Sequence, residues 1–171
     1  MINGVLFIES FWEEADAIFE HLLATVAWDD KMHARKTASF GVAYNYSQMT
    51  YPDAEMPMEL QMIAQKIQES VGFEPNNCLI NYYLDGKAKM GYHADRTDNL
   101  AENTGIAIIS LGETRNLSFK NIENSELIIT YPLPSGSLIY MTQELQNQWL
   151  HAIPKTNTDK GRMSLTFRNI L

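Results

Sequence analysis

Cysteine is nearly absent from this chain: Cys78 stands alone among 171 residues. One thiol closes no intramolecular disulfide and builds no thiolate metal cluster, so a reducing, cytoplasmic setting is expected and Cys78 reads as a core thiol. Positive charge is also scarce. Lys and Arg number 13 against 21 Asp and Glu, for a net charge of −8. No run of basic residues has the density of a phosphate-binding patch, which opposes tight nonspecific binding to nucleic acid. Arg35 beside Lys36, and Lys87 with Lys89, leave room only for a local basic groove. Long apolar runs are missing too, so no membrane-spanning helix is expected. Met1 to Ser10 shows no basic flank followed by an apolar stretch, so the protein is expected to be soluble and untargeted. No repeat or low-complexity segment is visible, and no obligate protein partner is implied.

What is present is ordinary globular composition, 45% hydrophobic and 20% charged, at a length suited to one domain. Ser10 and Glu13 have the spacing of a capping box. Ala15, Ile18, Phe19, Leu22, Leu23 and Val26 follow at helical spacing, which predicts an amphipathic helix over 10–27. Pro57 suits the first turn of a second helix, with Leu60, Ile63, Ala64, Ile67 and Val71 on one face and Gly72 as its stop. Between the helices, 33–53 is rich in aromatic and polar residues with weak periodicity and reads as short strands and loops. From Cys78 onward, short apolar runs are separated by turn residues: 78–84, 105–111, 115–120, 126–133, 136–141, 149–153 and 162–168. Strands at this spacing predict an α+β protein with a jelly roll or similar double-sheet barrel, braced from outside by the two helices.

The chemistry-bearing residues lie in the strand-rich part. His93 and Asp95 are two apart, so an extended chain points both to one face. His151, in the run Trp149–Ile153, supplies the third member of a two-histidine, one-carboxylate set. That set is the facial arrangement that holds Fe(II) while leaving positions open for substrate and oxygen. His21 and His33 read as satisfied core histidines.

The run 162–168 alternates strictly: Arg162, Ser164, Thr166 and Arg168 share one face, Met163, Leu165 and Phe167 the other. The polar face is either solvated surface or the lining of a barrel interior. Two guanidinium groups in an interior need anionic partners. Their Cα atoms lie roughly 20 Å apart at strand spacing, about the span of a small dicarboxylate between two reaching Arg side chains. Each Arg offers forked donors to a carboxylate. Asn81 and Tyr83 share a face just upstream and offer an amide and a phenol to the same anion.

These pieces come in a recognisable order: Asn81-Tyr82-Tyr83, Asp85-Gly86, His93-x-Asp95, Ser110-Leu111-Gly112, Leu133-Pro134-Ser135-Gly136-Ser137-Leu138, Trp149-x-His151 and Arg162-x-Ser164-x-Thr166-x-Arg168. The set resembles the AlkB family of Fe(II)/2-oxoglutarate dioxygenases over 78–168. Weaker similarity runs upstream through Arg35–Gly41 and Tyr44-Asn45-Tyr46-Ser47. The resemblance implies a double-stranded β-helix core and the use of Fe(II), 2-oxoglutarate and oxygen. His93, Asp95 and His151 would ligate iron. Asn81, Tyr83, Arg162, Thr166 and Arg168 would hold the co-substrate, with Arg162 on the distal carboxylate and Arg168 near the metal.

In nucleic-acid members of the family the reaction demethylates N-alkylated bases, a repair or modification chemistry. Tyr46 resembles the aromatic that stacks on the flipped-out base, and Arg35, Tyr44, Arg96 and Thr97 are the accompanying candidates for substrate contact. Residues 1–75 would then form bracing helices and a substrate-recognition segment, packed in one domain with a dioxygenase core at 76–171. Two departures stand out: Arg96-Thr97-Asp98 follows the metal pair where repair members carry base-contacting acids, and Ser164 replaces an Asn common between the two arginines. Three readings follow: action on single-stranded DNA, RNA or a nucleotide; the same chemistry on a protein, lipid or small metabolite; or a metal-free binding module, against which the triad and paired arginines speak.

Overall fold

Ala15, Ile18 and Leu22 lie on one face of the first helix, α1 (Ala15–Thr25), and Leu60, Ile63, Ala64 and Ile67 on one face of α2 (Met58–Val71). The structure, a computed structural model, describes residues 2–32, 35–46 and 49–171, with Tyr46 described in its backbone. His33 and Ser47 lie outside the described residues. The second helix has the expected bounds: Pro57 precedes it, and Gly72 stops it in the left-handed region at φ 89°. The first helix starts later than its sequence predicts. Ser10 caps nothing, because Phe11 and Trp12 give their backbone N–H groups to Gly136 O at 2.9 Å each, and this tertiary contact holds the chain out of helical geometry. Gly136, at φ 87°, allows the approach; a Cβ there would stand 2.5 Å from Trp12 O.

The strands among the described residues are β1 (Val5–Ile8), β2 (Lys36–Gly41), β3 (Tyr44–Tyr46), β4 (Met49–Tyr51), β5 (Asn77–Tyr83), β6 (Met90–His93), β7 (Ile106–Gly112), β8 (Arg115–Asn121), β9 (Ile128–Leu133), β10 (Leu138–Met141), β11 (Trp149–Ile153) and β12 (Arg162–Arg168). A six-stranded sheet runs β1-β10-β7-β12-β5-β2, a four-stranded sheet runs β6-β11-β8-β9, and β3 with β4 forms a small hairpin. All the pairings are antiparallel. Strand β1 is a four-residue edge, too short for its sequence to show a period.

One apolar cluster joins both helices to the outer face of the six-stranded sheet, through Cys78, Ile80, Ile109, Leu111, Met163, Leu165 and Phe167. A second fills the space between the sheets, with Ile106 and Ile139 from one and Leu117, Phe119 and Ile153 from the other. The helices therefore brace one sheet from outside, and the double-sheet architecture is as the strand pattern predicts, the double-stranded β-helix that the resemblance implies. Because β12 is buried on both faces, its polar face is interior rather than solvated surface. His21 departs from its reading as a core histidine: its side chain is 46% exposed on α1, with Nε2 3.2 Å from Glu59 Oε1 on α2. No helix among the described residues is long and apolar enough to cross a membrane.

Candidate active site

Strand β6 ends at His93, and its neighbour β11 carries His151 directly opposite. The two imidazole rings lie 4.3 Å apart between centroids. Asp95, just past the end of β6, turns its carboxylate to both: Oδ1 is 3.2 Å from His93 Nε2 and 3.5 Å from His151 Nε2. Ligand atoms of all three residues fall within 4.8 Å of one another, close enough to share one metal ion. His93 Nδ1 donates to Gly91 O at 2.8 Å, so Nε2 is the nitrogen that faces Asp95 and the one that a metal would take once its proton is lost.

The electrostatics favour an anionic Asp95. Burial opposes its charge, but hydrogen bonds from His151 and His93 and the positive charge of Arg168 outweigh that, holding the carboxyl well below the usual range. Burial likewise opposes charge on His93; the hydrogen bond and negative charge of Asp95 prevail and raise its pKa. Asp95 lies beyond regular structure, and its backbone N–H is satisfied by Gln146 Oε1 at 2.8 Å, from the 3₁₀ turn Glu144–Asn147 that leads into β11. Sequence reasoning missed Gln146, since no local pattern distinguishes it within its turn.

The cavity beside the triad is bordered by Asn81 and Tyr83 from β5 and by Arg162, Ser164, Thr166 and Arg168 from β12, with apolar walls at Leu79, Ile108, Leu117, Leu133 and Ile153. Strand β12 pairs with β5 so that Ser164 faces Asn81 and Arg162 faces Tyr83, which brings these candidates together. Arg162 is 1% exposed. Its Nη2 donates to Ser110 Oγ at 2.9 Å and its guanidinium lies 5.3 Å from the Tyr83 ring. Its Nε and Nη1 meet no hydrogen-bond acceptor among the described residues. Burial lowers its pKa. A buried cation with two open N–H donors in an apolar cavity is chemically matched to a carboxylate.

A second buried arginine, Arg115, differs. It donates to three backbone carbonyls, Asp85 O at 3.2 Å, Ala88 O at 2.8 Å and Pro154 O at 2.8 Å, and so clamps the loop before β6 to the end of β11.

Outside the triad opens a cleft of about 640 Å³, bordered by Arg35, Tyr44, Asn45, Met90, Tyr92, His93, Asp95 and Arg96. Of the residues expected to contact substrate, Arg35, Tyr44 and Arg96 reach this cleft. Arg35 is largely buried, with Nε donating to Asn81 Oδ1 at 2.8 Å. Tyr44 stacks under the Arg168 guanidinium, 4.9 Å from ring centroid to Cζ. Arg96 is exposed and forked onto Asp98, with Nη2 3.2 Å from Oδ2 and Nε on Oδ1. Thr97 is not among the residues that border the cleft; its carbonyl accepts from Leu100 N–H in a turn. Tyr46 lies in β3 by its backbone.

Comparison with known proteins agrees with this geometry. Residues 7–168 match the model of the 2OG-Fe(II) oxygenase superfamily. The chain is 30% identical to rat alpha-ketoglutarate-dependent dioxygenase alkB homolog 3, over 92% of this chain and 60% of that protein. It is 31% identical to human DNA oxidative demethylase ALKBH2, over 92% of this chain and 69% of that protein. The chain thus spans about three fifths of the length of the alkB homolog 3 relative. In fold it is similar to OsALKBH1, with a TM-score of 0.71 at 16% identity, covering 99% of each chain.

Proposed function

The chain belongs to the 2OG-Fe(II) oxygenase superfamily, and on that premise we propose that it is an AlkB-type dioxygenase that oxidatively demethylates N-alkylated bases in single-stranded DNA or RNA. The observation that carries this reading is one cavity holding both a His-Asp-His set and a buried Arg162 with open donors. A metal site alone is common to many folds; a metal site beside an unfilled carboxylate clamp suits a co-substrate that chelates and is clamped at once.

In this proposal His93, Asp95 and His151 hold Fe(II). Arg162 takes the distal carboxylate of 2-oxoglutarate through its forked donors, and Arg168 stands at the metal end. Asn81, Tyr83 and Thr166 add hydrogen bonds. Bound iron, 2-oxoglutarate and oxygen supply hydroxylation of a C–H bond coupled to release of succinate and carbon dioxide. The chain's own part is positional. Leu79, Ile108, Leu117, Leu133 and Ile153 keep water from the co-substrate, and Arg168 holds one oxygen of Asp95 so that the other faces the histidines.

The outer cleft takes the base, with Arg35, Tyr44 and Arg96 on its border; Tyr46 and Thr97 are proposed as further contacts on the strength of the sequence. Its volume is in the range of small-ligand sites, enough for a base turned out of its stack. A hydroxylated N-methyl group then collapses to formaldehyde and the free base. Residues 1–75 serve as brace and recognition segment, 76–171 as oxygenase core, and the setting is cytoplasmic. The name of the human relative, a DNA oxidative demethylase, supports the substrate class. Arg96 tied to Asp98, with no carboxylate at Thr97, favours the alternative that the same chemistry acts on a protein, lipid or small metabolite.

The test is to supply purified protein with Fe(II), ascorbate and 2-oxoglutarate and to measure succinate. Formaldehyde is measured in parallel from methylated single-stranded oligonucleotides, duplexes and nucleosides. Formaldehyde from a methylated strand is the expected result. Succinate without formaldehyde from any of these transfers the substrate to the alternative, and no succinate at all overturns the enzyme reading.

A further inference from the structure

Asn81 stands between two neighbourhoods. Its side chain borders the inner cavity with Arg162 and the triad, while its Oδ1 accepts the 2.8 Å hydrogen bond from Arg35 Nε. Arg35 borders the outer cleft and not the inner cavity. A guanidinium has only donors, so the contact is possible in one orientation of the amide: oxygen toward Arg35, NH₂ away from it. Arg35 is itself held, since Nη1 donates to Lys89 O at 3.3 Å, just before β6.

A carboxylate in the inner cavity has only acceptors. An Asn81 amide turned the other way would present its oxygen to that anion and repel it. We infer that Arg35 is a positioning residue for the co-substrate: by fixing the Asn81 oxygen, it presents the Asn81 NH₂ to a carboxylate of 2-oxoglutarate. The inference rests on the co-substrate reading of the cavity proposed above. It gives Arg35, a residue on the border of the substrate cleft, a task toward the inner cavity through Asn81, and it explains why a cationic residue at the mouth of an acidic protein's cleft is only 6% exposed. Arg35, Asn81 and the Lys89 carbonyl together tie the start of β2 to β5 and to the approach to β6.

The experiment measures binding of 2-oxoglutarate by calorimetry to the protein loaded anaerobically with Mn(II), which needs no turnover. Arg35→Met is expected to weaken 2-oxoglutarate binding on the order of tenfold or more, the scale of a hydrogen bond to a charged group. Mn(II) affinity without 2-oxoglutarate should stay as in the wild type, which also shows that the variant is folded. Arg35→Lys, which keeps a donor, should recover much of the loss. Asn81→Asp, which keeps the acceptor toward Arg35 but lacks the NH₂, should lose binding too.

In an Asn81→Ala background, Arg35→Met should cost nothing further, because its route of action is gone. Unchanged 2-oxoglutarate binding in Arg35→Met overturns the inference, as does a loss that adds in full to that of Asn81→Ala. A wild-type protein that takes up Mn(II) and no 2-oxoglutarate overturns the co-substrate reading itself, and this inference with it.

Discussion

Arg168 and Asp95 form an ion pair inside the barrel, with Nη2 3.1 Å from Oδ2 and both side chains less than a tenth exposed. The pair divides the work of one carboxylate. Oδ2 is taken by the guanidinium, and Oδ1 is left to face His93 and His151. Because the same guanidinium lies over the Tyr44 ring, the β3–β4 hairpin, the last strand and the triad meet at one side chain.

Asp95→Ala tests the triad directly. Fe(II) with 2-oxoglutarate under anaerobic conditions should give a weak visible charge-transfer band in the wild type, and the variant should lose it. The variant should also lose more stability than an ordinary surface substitution does, since Arg168 is left buried without this carboxylate. An undiminished band removes Asp95 from the ligand set.

Arg162→Lys separates charge from geometry. Lysine keeps the positive charge and loses the fork, so the affinity for 2-oxoglutarate should fall by a factor on the order of ten to a hundred. Arg115, another buried arginine nearby, has donors already engaged with three carbonyls and is poorly placed to take over. Calorimetry on metal-loaded protein reads the effect. Unaltered affinity means that Arg162 does not carry the distal carboxylate.

Much of this was legible in the chain because it is periodic or paired. The alternation over Arg162–Arg168 assigns one face to the helices and the other to the interior, and the structure has Met163, Leu165 and Phe167 in the helix-facing cluster. The two-residue spacing of His93 and Asp95 likewise depends only on an extended chain. The missed features are tertiary. Ser10 and Glu13 have capping-box spacing, yet Gly136 O competes for the local N–H groups and wins. The Gln146 contact with the Asp95 backbone joins residues 51 apart through a short turn with no sequence period. Arg35 was legible as a cation near the cleft, but its hydrogen bond to Asn81 spans 46 residues and depends on β2 pairing with β5.

Cys78 should be chemically silent while the protein is folded. It is fully buried on the helix-facing side of β5, and burial pushes its thiol well above the ordinary range, against a smaller opposite pull from the Arg168 charge. The unfolded chain ionises this thiol near pH ~8.5 and the folded one does not. Its contribution to stability is therefore complete below that pH and is lost as pH rises above it, at up to about 1.4 kcal/mol per pH unit. Iodoacetamide at high pH should label the protein only on unfolding, and Cys78→Val should flatten the alkaline fall in melting temperature. Rapid labelling of the native protein contradicts the burial.

The salt dependence of substrate binding should be shallow, and Asp98 is the residue that sets it. The protein carries a net charge of −8, so its bulk field repels a polyanion. At the cleft, Arg35 is directed inward to Asn81, and the exposed Arg96 is neutralised by Asp98 on both of its forked nitrogens. A phosphate must then compete with a carboxylate for Arg96. Binding of a methylated single strand should show a log–log salt slope equivalent to about two or three phosphates. Short strands and nucleotides should accordingly compete well against duplex, whose backbone charge finds few partners. Asp98→Asn keeps the side-chain size, frees Arg96, and should both tighten binding at low salt and steepen the slope by about one. The double variant Arg96→Ala with Asp98→Asn should return to the shallow slope, which separates release of Arg96 from a mere change in net charge. Fluorescence anisotropy of a labelled methylated oligonucleotide over a salt series provides the slopes. An Asp98→Asn slope equal to that of the wild type means that Arg96 does not contact the phosphate backbone.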